Sequence, residues 1–369
     1  MIGYLSSAFL KHIIANQKNQ HKGDTKMKLF TTEAVTKFHP DKYADQISDA
    51  IVTACMRKDR NSRCGIETLV KGKTVVLAGE VKTKAKINYE AIVRRVANKL
   101  GYEVDKVINL ISEQSSEISK AVDGKEDIIG AGDQGIVFGY ASNETKSYLP
   151  LAVDIANRIV TIIEKDVDTN PDTVLVGDAK TQVTVDKVNG AVETIVVSAC
   201  HKPDADISAV RQYIRKLLHG VAYPNRWIIN PAGAWTKGGP EADCGLTGRK
   251  IVCDQTGGAY CVGGGALSGK DVSKVDRTGT YMARKIACDL VEKFHLRICS
   301  VQLGFVIGNP YPISISVKGS DGRNYADYVR KTYDLSVKGM IEALDLYNKD
   351  FEKIAEGCHF FDKDTFGHR

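Results

Sequence analysis

No apolar run in this chain approaches the roughly 20 residues that would span a bilayer, so a helical membrane protein is excluded. No block of lysine and arginine stands out either. The formal charge of +6 is spread over 369 residues and favours anionic partners only weakly, so nucleic acid is not an expected partner. The nine cysteines are odd in number and include no C-x-x-C pair. That argues against a disulfide framework and a zinc site, and for reduced thiols in a cytoplasmic protein. Residues 1–26 lack the order of a secretory signal, because their positive charge follows the short apolar start instead of preceding it. They read as a disordered tail, of the kind that a translation start upstream of Met27 would add.

What is present is enough for a sizeable core: 43% of residues are hydrophobic, and the length suits two or three domains. From Pro40 to Lys58, Ile47, Ile51, Ala54 and Cys55 fall at helical spacing, with Pro40 at a favoured first position. "GIETLV" and "TVVLAGEV" read as strands, and a helix capped by Asn88 and ended by Gly101 follows them. In the middle region "QGIVFGYA" reads as a strand and "PLAVDIANRIVTIIEK" as a helix. A hairpin turns at Asn189-Gly190, and "ISAVRQYIRKLL" closes the unit as a helix. The last third holds expected strands at "RKIVCD" and "ISISVKG" and expected helices at "YMARKIACDLVEKF" and "VKGMIEALDLY". Strand pairs joined by tight turns imply α+β: three similar domains of mostly antiparallel sheet with helices on one face. The expected boundaries are 27–127, 128–230 and 231–369.

Two motifs fail on context. "GAGDQG", residues 130–135, fits G-x-G-x-x-G, but the β-rich "IVFGY" follows where a dinucleotide site needs a helix. A glycine-rich turn bearing Asp133 remains, structural or binding. "GGGALSGKD", residues 263–271, nearly spells the phosphate loop G-x-x-x-x-G-K-[ST], but ends in Asp271, which supplies no hydroxyl for Mg²⁺. Three glycines before a lysine can still bring backbone close to a polyanion. The loop is either a surface feature or a triphosphate site of another design.

Further blocks carry chemistry. "HPDK" starts the first helix, where free N–H groups favour anions. "GDAKTQVT" and "DCGLTGRK" each combine aspartate with basic residues. Together "HPDK.ADQISDA", "GAGDQG..FGYA.NET", "DAK.QVT", "INP.G", "GGP..DCGLTGRKI" and "GGGA.SGKD.SKVDR" resemble S-adenosylmethionine synthetase (methionine adenosyltransferase) over residues from about 27 to the 350s.

The resemblance implies an enzyme that joins ATP and L-methionine into S-adenosylmethionine, with hydrolysis of the tripolyphosphate to pyrophosphate and phosphate. It implies two Mg²⁺ and one K⁺ per site, and a homodimer with active sites at its interface, which many members pair into tetramers. By position, His39 resembles the histidine near the reacting end of the triphosphate. Asp41 and Asp276 match magnesium ligands, and Glu67 the potassium ligand. Glu80 and Gln114 match methionine-site residues, with Asp133, Asp243 and Lys274 beside them. Asp178, Ala179, Lys180, Trp235, Asp243, Arg249, Lys250, Ala266 and Lys270 match the ATP site. His39, Lys180, Arg249, Lys250 and Lys270 form the catalytic set, with the His39 pKa expected to be raised by phosphate and carboxylates. Residues 115–128, "SSEISKAVDGKEDI", stand where the family has a mobile loop. The sequence departs from the family pattern at Phe38, usually glycine, at Ala234 and Val272, and at its short C-terminus. The Phe38 departure makes an inactive ATP-binding paralogue the alternative reading.

Overall fold

The computed structural model describes residues 27–113 and 129–362. The expected tail, Gln114, the residues 115–128 and the end of the C-terminal segment lie outside the described residues. In chain order the strands are β1 (Leu29–Val35), β2 (Arg63–Lys71), β3 (Thr74–Lys82), β4 (Lys106–Glu113), β5 (Gly135–Ser142), β6 (Leu175–Asp186), β7 (Val192–His201), β8 (Arg226–Ile229), β9 (Gly245–Leu246), β10 (Ile298–Phe305) and β11 (Ser314–Gly319). The longest helices are α1 (Pro40–Lys58), α2 (Tyr89–Lys99), α3 (Leu151–Thr169) and α4 (Ile207–Leu217) in the first two thirds. Short turns α5 (Gly239–Ala242) and α6 (Ile251–Asp254) precede the long α7 (Val275–Lys293), and α8 (Ala326–Thr332), α9 (Val337–Ala343) and α10 (Phe351–Ile354) follow it.

Three sheets form, ordered β1-β6-β7-β8, β4-β3-β2-β9 and β11-β10-β5. Most pairs are antiparallel; β3 with β4 and β7 with β8 are parallel. The α+β class therefore holds. The sheets recruit strands from distant parts of the chain: β1 pairs with β6, β5 with β10, and β9 with β2. These crossings bring the first helix, the middle strands and the late loops into one neighbourhood.

Local chemistry accounts for the element ends. Asn88 caps α2 by accepting the Ala91 amide at 3.0 Å. α1 starts at Pro40, whose missing N–H would have no helical partner, and carries Arg57 and Lys58 in its last turn. One departure from the sequence reading is "RKIVCD", which is not a strand. Its residues 251–254 form the helical turn α6. A short apolar run is ambiguous between strand and helix, and here a buried ion pair decides. Asp254 meets Lys42 of α1 at 2.6 Å, and its amide donates to Lys250 O at 2.9 Å.

Two apolar clusters hold the fold. Ile155, Ile159 and Ile163 of α3 pack with Val183, Ile195 and Ile214 against the first sheet. The larger cluster joins Ile47 and Ile51 of α1, Leu77 of β3, Val137 of β5, and Ile286 and Leu290 of α7. The α1 helix is the exception to ordinary amphipathic packing: Asp41, Lys42, Asp45 and Asp49 are buried beside its apolar residues. Buried charge is costly unless paired, so this helix must find partners on every side.

Candidate active site

The N-terminus of α1 organises the first group of predicted residues. His39 caps the helix at φ −62° and ψ 138°, and its Nδ1 accepts the Asp41 amide at 3.1 Å. With Nδ1 as acceptor, a neutral ring carries its proton on Nε2. Burial, then the Lys250 ammonium, lowers the His39 pKa to about 4. This is opposite to the upward shift expected from phosphate and carboxylates: in the free chain, desolvation and Lys250 outweigh Asp41 and Asp243.

Asp41 is buried and fully engaged. Lys250 Nζ lies 2.5 Å from Oδ2, the Leu246 amide donates to Oδ1 at 3.0 Å, and Arg249 Nε lies 3.7 Å from Oδ1. Burial works to raise its pKa, but the Lys250 and Leu246 hydrogen bonds outweigh it and hold the carboxyl below its ordinary value. On β6, Ala179 is buried and its amide donates to Thr36 Oγ1 at 3.1 Å, while Lys180 Nζ rests 2.6 Å from Glu33. Asp178 Oδ2 accepts the Gly239 amide at 2.7 Å, whereas its Oδ1 is buried without a partner. Burial, strengthened by Asp243, pushes the Asp178 pKa up to about 6. Trp235 is half-buried nearby, its indole donating to Lys237 O at 2.6 Å and its amide to His201 Nε2 at 3.1 Å.

Phe38 does not displace His39. Its ring is buried over Gly177, which has φ +110°. A Cβ at Gly177 would stand 2.7 Å from Phe38 Cγ. The ring thus fills the space that a side chain at 177 would take, and His39 keeps its capping geometry.

The second group forms around loop 263–271. Gly269 has φ +84°, and a Cβ there would lie 2.1 Å from Ile66 O, so only glycine fits. The Ile66 amide donates to Gly269 O at 2.8 Å, and Gly65 bridges to Lys270. Asp271, where a phosphate loop needs a hydroxyl, is a buried clamp instead. It accepts the Cys64 amide at 2.7 Å and the Ser273 amide and hydroxyl at 2.8 and 2.7 Å. Lys270 Nζ rests 2.6 Å from Asp276 in the first turn of α7. Gly265 lies directly over Asp276, since a Cβ there would fall 2.2 Å from its Cγ.

The "GAGDQG" turn docks on the same loop. The Gly132 amide donates to Ser273 O at 3.1 Å, which sets exposed Asp133 near Lys274. The turn leads into β5, not into a helix. Glu80 and Lys274 flank Gly65, with Glu80 Oε2 3.9 Å and Lys274 Cε 3.8 Å from its Cβ position. Glu67 is exposed on β2, and Lys270 is the cation that acts on it.

Within one chain, then, the predicted residues fall into two groups. His39, Asp41, Asp178, Lys180, Asp243, Arg249 and Lys250 form one; Glu67, Glu80, Asp133, Lys270, Lys274 and Asp276 form the other. They meet where Gly248 faces Ala266, whose Cβ is 2.5 Å from a Cβ position on the glycine. Among the described residues no ion pair joins the groups, and no three His, Cys, Asp or Glu side chains converge as a closed metal site. The sequence reading gave no role to Asp45, Asp49 and Asp254, which are buried behind the site with Lys42 and Arg277. For Asp45 and Asp49 the available signal was the four-residue spacing of aspartates in "HPDKYADQISDA".

Comparisons with known proteins agree along the whole described chain. Residues 27–125 match the N-terminal domain of S-adenosylmethionine synthetase, 128–235 its central domain and 237–368 its C-terminal domain. The S-adenosylmethionine synthase of Mycoplasmopsis pulmonis (strain UAB CTIP) is 40% identical over 349 residues, which cover 90% of this chain and 93% of that one. The solved structure of an unusual S-adenosylmethionine synthetase from Campylobacter jejuni superposes with a TM-score of 0.82 at 33% identity, covering 92% of this chain and 98% of that one. With all three domain types present in order, this chain belongs to the S-adenosylmethionine synthetase family.

Proposed function

We propose that the chain forms S-adenosyl-L-methionine from ATP and L-methionine, and then hydrolyses the released tripolyphosphate to pyrophosphate and phosphate. The methionine sulfur attacks C5′ of ATP. A C–S bond forms, the C5′–O bond breaks, and its electron pair leaves on the tripolyphosphate. A thioether has no proton to lose, so no general base is needed for this step. The difficulty is the negative charge that grows on the departing oxygen, and fixed cations aimed at it are the main requirement.

The observation that carries this reading is where the cations rest. Lys250 sits on Asp41, Lys270 on Asp276 and Lys180 on Glu33, each at 2.5–2.6 Å. Each ammonium is held beside a carboxylate that it can exchange for a phosphate oxygen. Arg249, half-exposed, reaches the same Asp41. His39, neutral with its proton on Nε2, donates a hydrogen bond to the departing oxygen without needing an imidazolium. Trp235 and Ala266 border the nucleotide, while Glu80, Asp133, Asp243 and Lys274, together with Gln114, hold methionine.

Asp41 and Asp276 fit Mg²⁺: each is one hard oxygen ligand freed when its lysine turns to phosphate, and magnesium typically takes one or two carboxylates plus phosphate oxygens. Bound there, Mg²⁺ supplies charge neutralisation along the phosphate chain. Glu67 is an exposed oxygen ligand suited to K⁺.

The two groups complete one site in a homodimer. The outward face of β2, β3 and β4 supports this. By register it carries Glu67, Leu69, Val76, Ala78, Glu80, Ile108 and Leu110, with Leu69 and Leu110 exposed. An apolar sheet face edged by site carboxylates suits a second copy of the chain. No helix among the described residues is long and apolar enough to cross a membrane, and all nine cysteines are free, which favours a reducing cytoplasm. The paralogue reading loses its ground, since Gly177 accommodates Phe38.

The test is product formation from ATP and methionine, with Mg²⁺ and K⁺ added or withheld. We expect S-adenosylmethionine only with Mg²⁺, and faster turnover with K⁺. Binding of ATP without product would instead favour the paralogue.

A further inference from the structure

Asp41, Asp45 and Asp49 recur every four residues on α1, so they share one face of that helix. All three are buried. Each accepts one backbone amide from a loop that bears a basic residue: Leu246 to Asp41 at 3.0 Å, Gly248 to Asp45 at 2.9 Å, and Gly269 to Asp49 at 2.8 Å. Each also holds a cation: Lys250 on Asp41, Lys42 on Asp45 at 3.1 Å, and Arg277 on Asp49.

The chain neighbours of these partners matter. Gly248 precedes Arg249 and Lys250, Gly269 precedes Lys270, and Arg277 follows Asp276. Two loops that lie far from α1 in the sequence are therefore tied to that one helix beside the very residues that would hold phosphate. Unpaired buried carboxylates would be strongly destabilising, and here amide and cation both oppose the desolvation. Neither Asp45 nor Asp49 is exposed to a substrate, so each can act only through the loop that it holds.

We propose that Asp45 and Asp49 are positioning residues: Asp45 sets the Arg249–Lys250 loop and Asp49 the Lys270–Asp276 loop, both in register with the helix that presents His39. The inference rests on the reading of Lys250 and Lys270 as holders of the phosphate chain.

Double-mutant cycles in the full chain test it. Asp49→Asn is combined with Lys270→Ala, and Asp45→Asn with Lys250→Ala. Two quantities are read, the rate of S-adenosylmethionine formation and the calorimetric affinity for tripolyphosphate with Mg²⁺, with thermal unfolding measured alongside. Asp49→Asn is expected to weaken both by roughly tenfold while leaving the methionine KM within roughly twofold. In the Lys270→Ala background the same change should cost less than roughly twofold, although the loss of thermal stability persists. The Asp45 cycle should behave alike.

Equal losses in both backgrounds would make these aspartates merely structural and overturn the proposal. If an asparagine variant does not fold, Asp49→Glu or Asp45→Glu, which keeps the charge but lengthens the arm, enters the same cycle with the same deciding outcomes. An unmodified chain that makes no product would overturn the proposed function alone, because the tripolyphosphate cycle would still decide the positioning role.

Discussion

Helices α1 and α3 each run for 19 residues, but they are built on opposite rules. α3 buries Ile155, Ile159 and Ile163 against a sheet and buries a single carboxylate of low exposure, Asp166, which accepts from the Thr173 and Tyr213 hydroxyls. α1 is buried nearly all round, with Asp41, Lys42, Asp45 and Asp49 inside the protein. Buried charge is costly, and its desolvation must be matched by partners. The difference teaches what each helix holds: α3 packs on a sheet, while α1 also binds the amides of the loops that carry the proposed site.

The contrast can be broken by mutation. The largest expected effect is at Lys42, whose ammonium lies between Asp45 and Asp254 at 3.1 and 2.6 Å. Lys42→Met leaves two buried carboxylates facing each other and should cost about 3–5 kcal/mol in chemical denaturation. A loss below about 1 kcal/mol would mean that the network is dispensable. Ile159→Ala on α3 should cost about 2–5 kcal/mol of stability. Its activity per folded molecule should not change, and a changed kcat would erase the distinction between the helices.

At the mouth of the site, His39→Asn should slow S-adenosylmethionine formation by at least roughly tenfold, about 1.4 kcal/mol of barrier. Lys270→Ala should impair tripolyphosphate hydrolysis more than methionine binding. Assays of the two steps apart would show the split, and equal losses in both steps for both variants would contradict it.

The smallest effect belongs to α3. Burial raises the Glu164 pKa to about 7, opposed by its bond from the Lys37 amide. A carboxyl with a raised folded pKa favours the fold fully below its unfolded value, and that contribution is lost as pH rises through about 7. Glu164→Gln should therefore gain about 1 kcal/mol over the parent at pH 8 and nothing near pH 4, read as unfolding midpoints at each pH.

Much of this was legible in residue order. The Asn88 cap, the Asn189-Gly190 hairpin and the α3 stripe are local signals, and they mark the elements found. The sheet crossings were not legible, because pairing of β1 with β6 or β5 with β10 depends on tertiary contacts that no local period encodes. "RKIVCD" misled for the same reason: Lys42, far away in the chain, fixes Asp254 and with it the helical turn. The candidate site residues were drawn from motif blocks, but their grouping into two clusters was not. Phe38 looked like an obstacle until Gly177 stood opposite it, and no spacing rule links those two positions. The downward His39 shift also required a structure, since it depends on burial first and Lys250 second.

The most direct measurement is a structure of the chain with a non-hydrolysable ATP analogue, methionine and Mg²⁺. The account predicts that Lys250 and Lys270 leave Asp41 and Asp276 for phosphate oxygens while the Gly248 and Gly269 amides stay on Asp45 and Asp49. A bound analogue with both lysines still on their aspartates would contradict it.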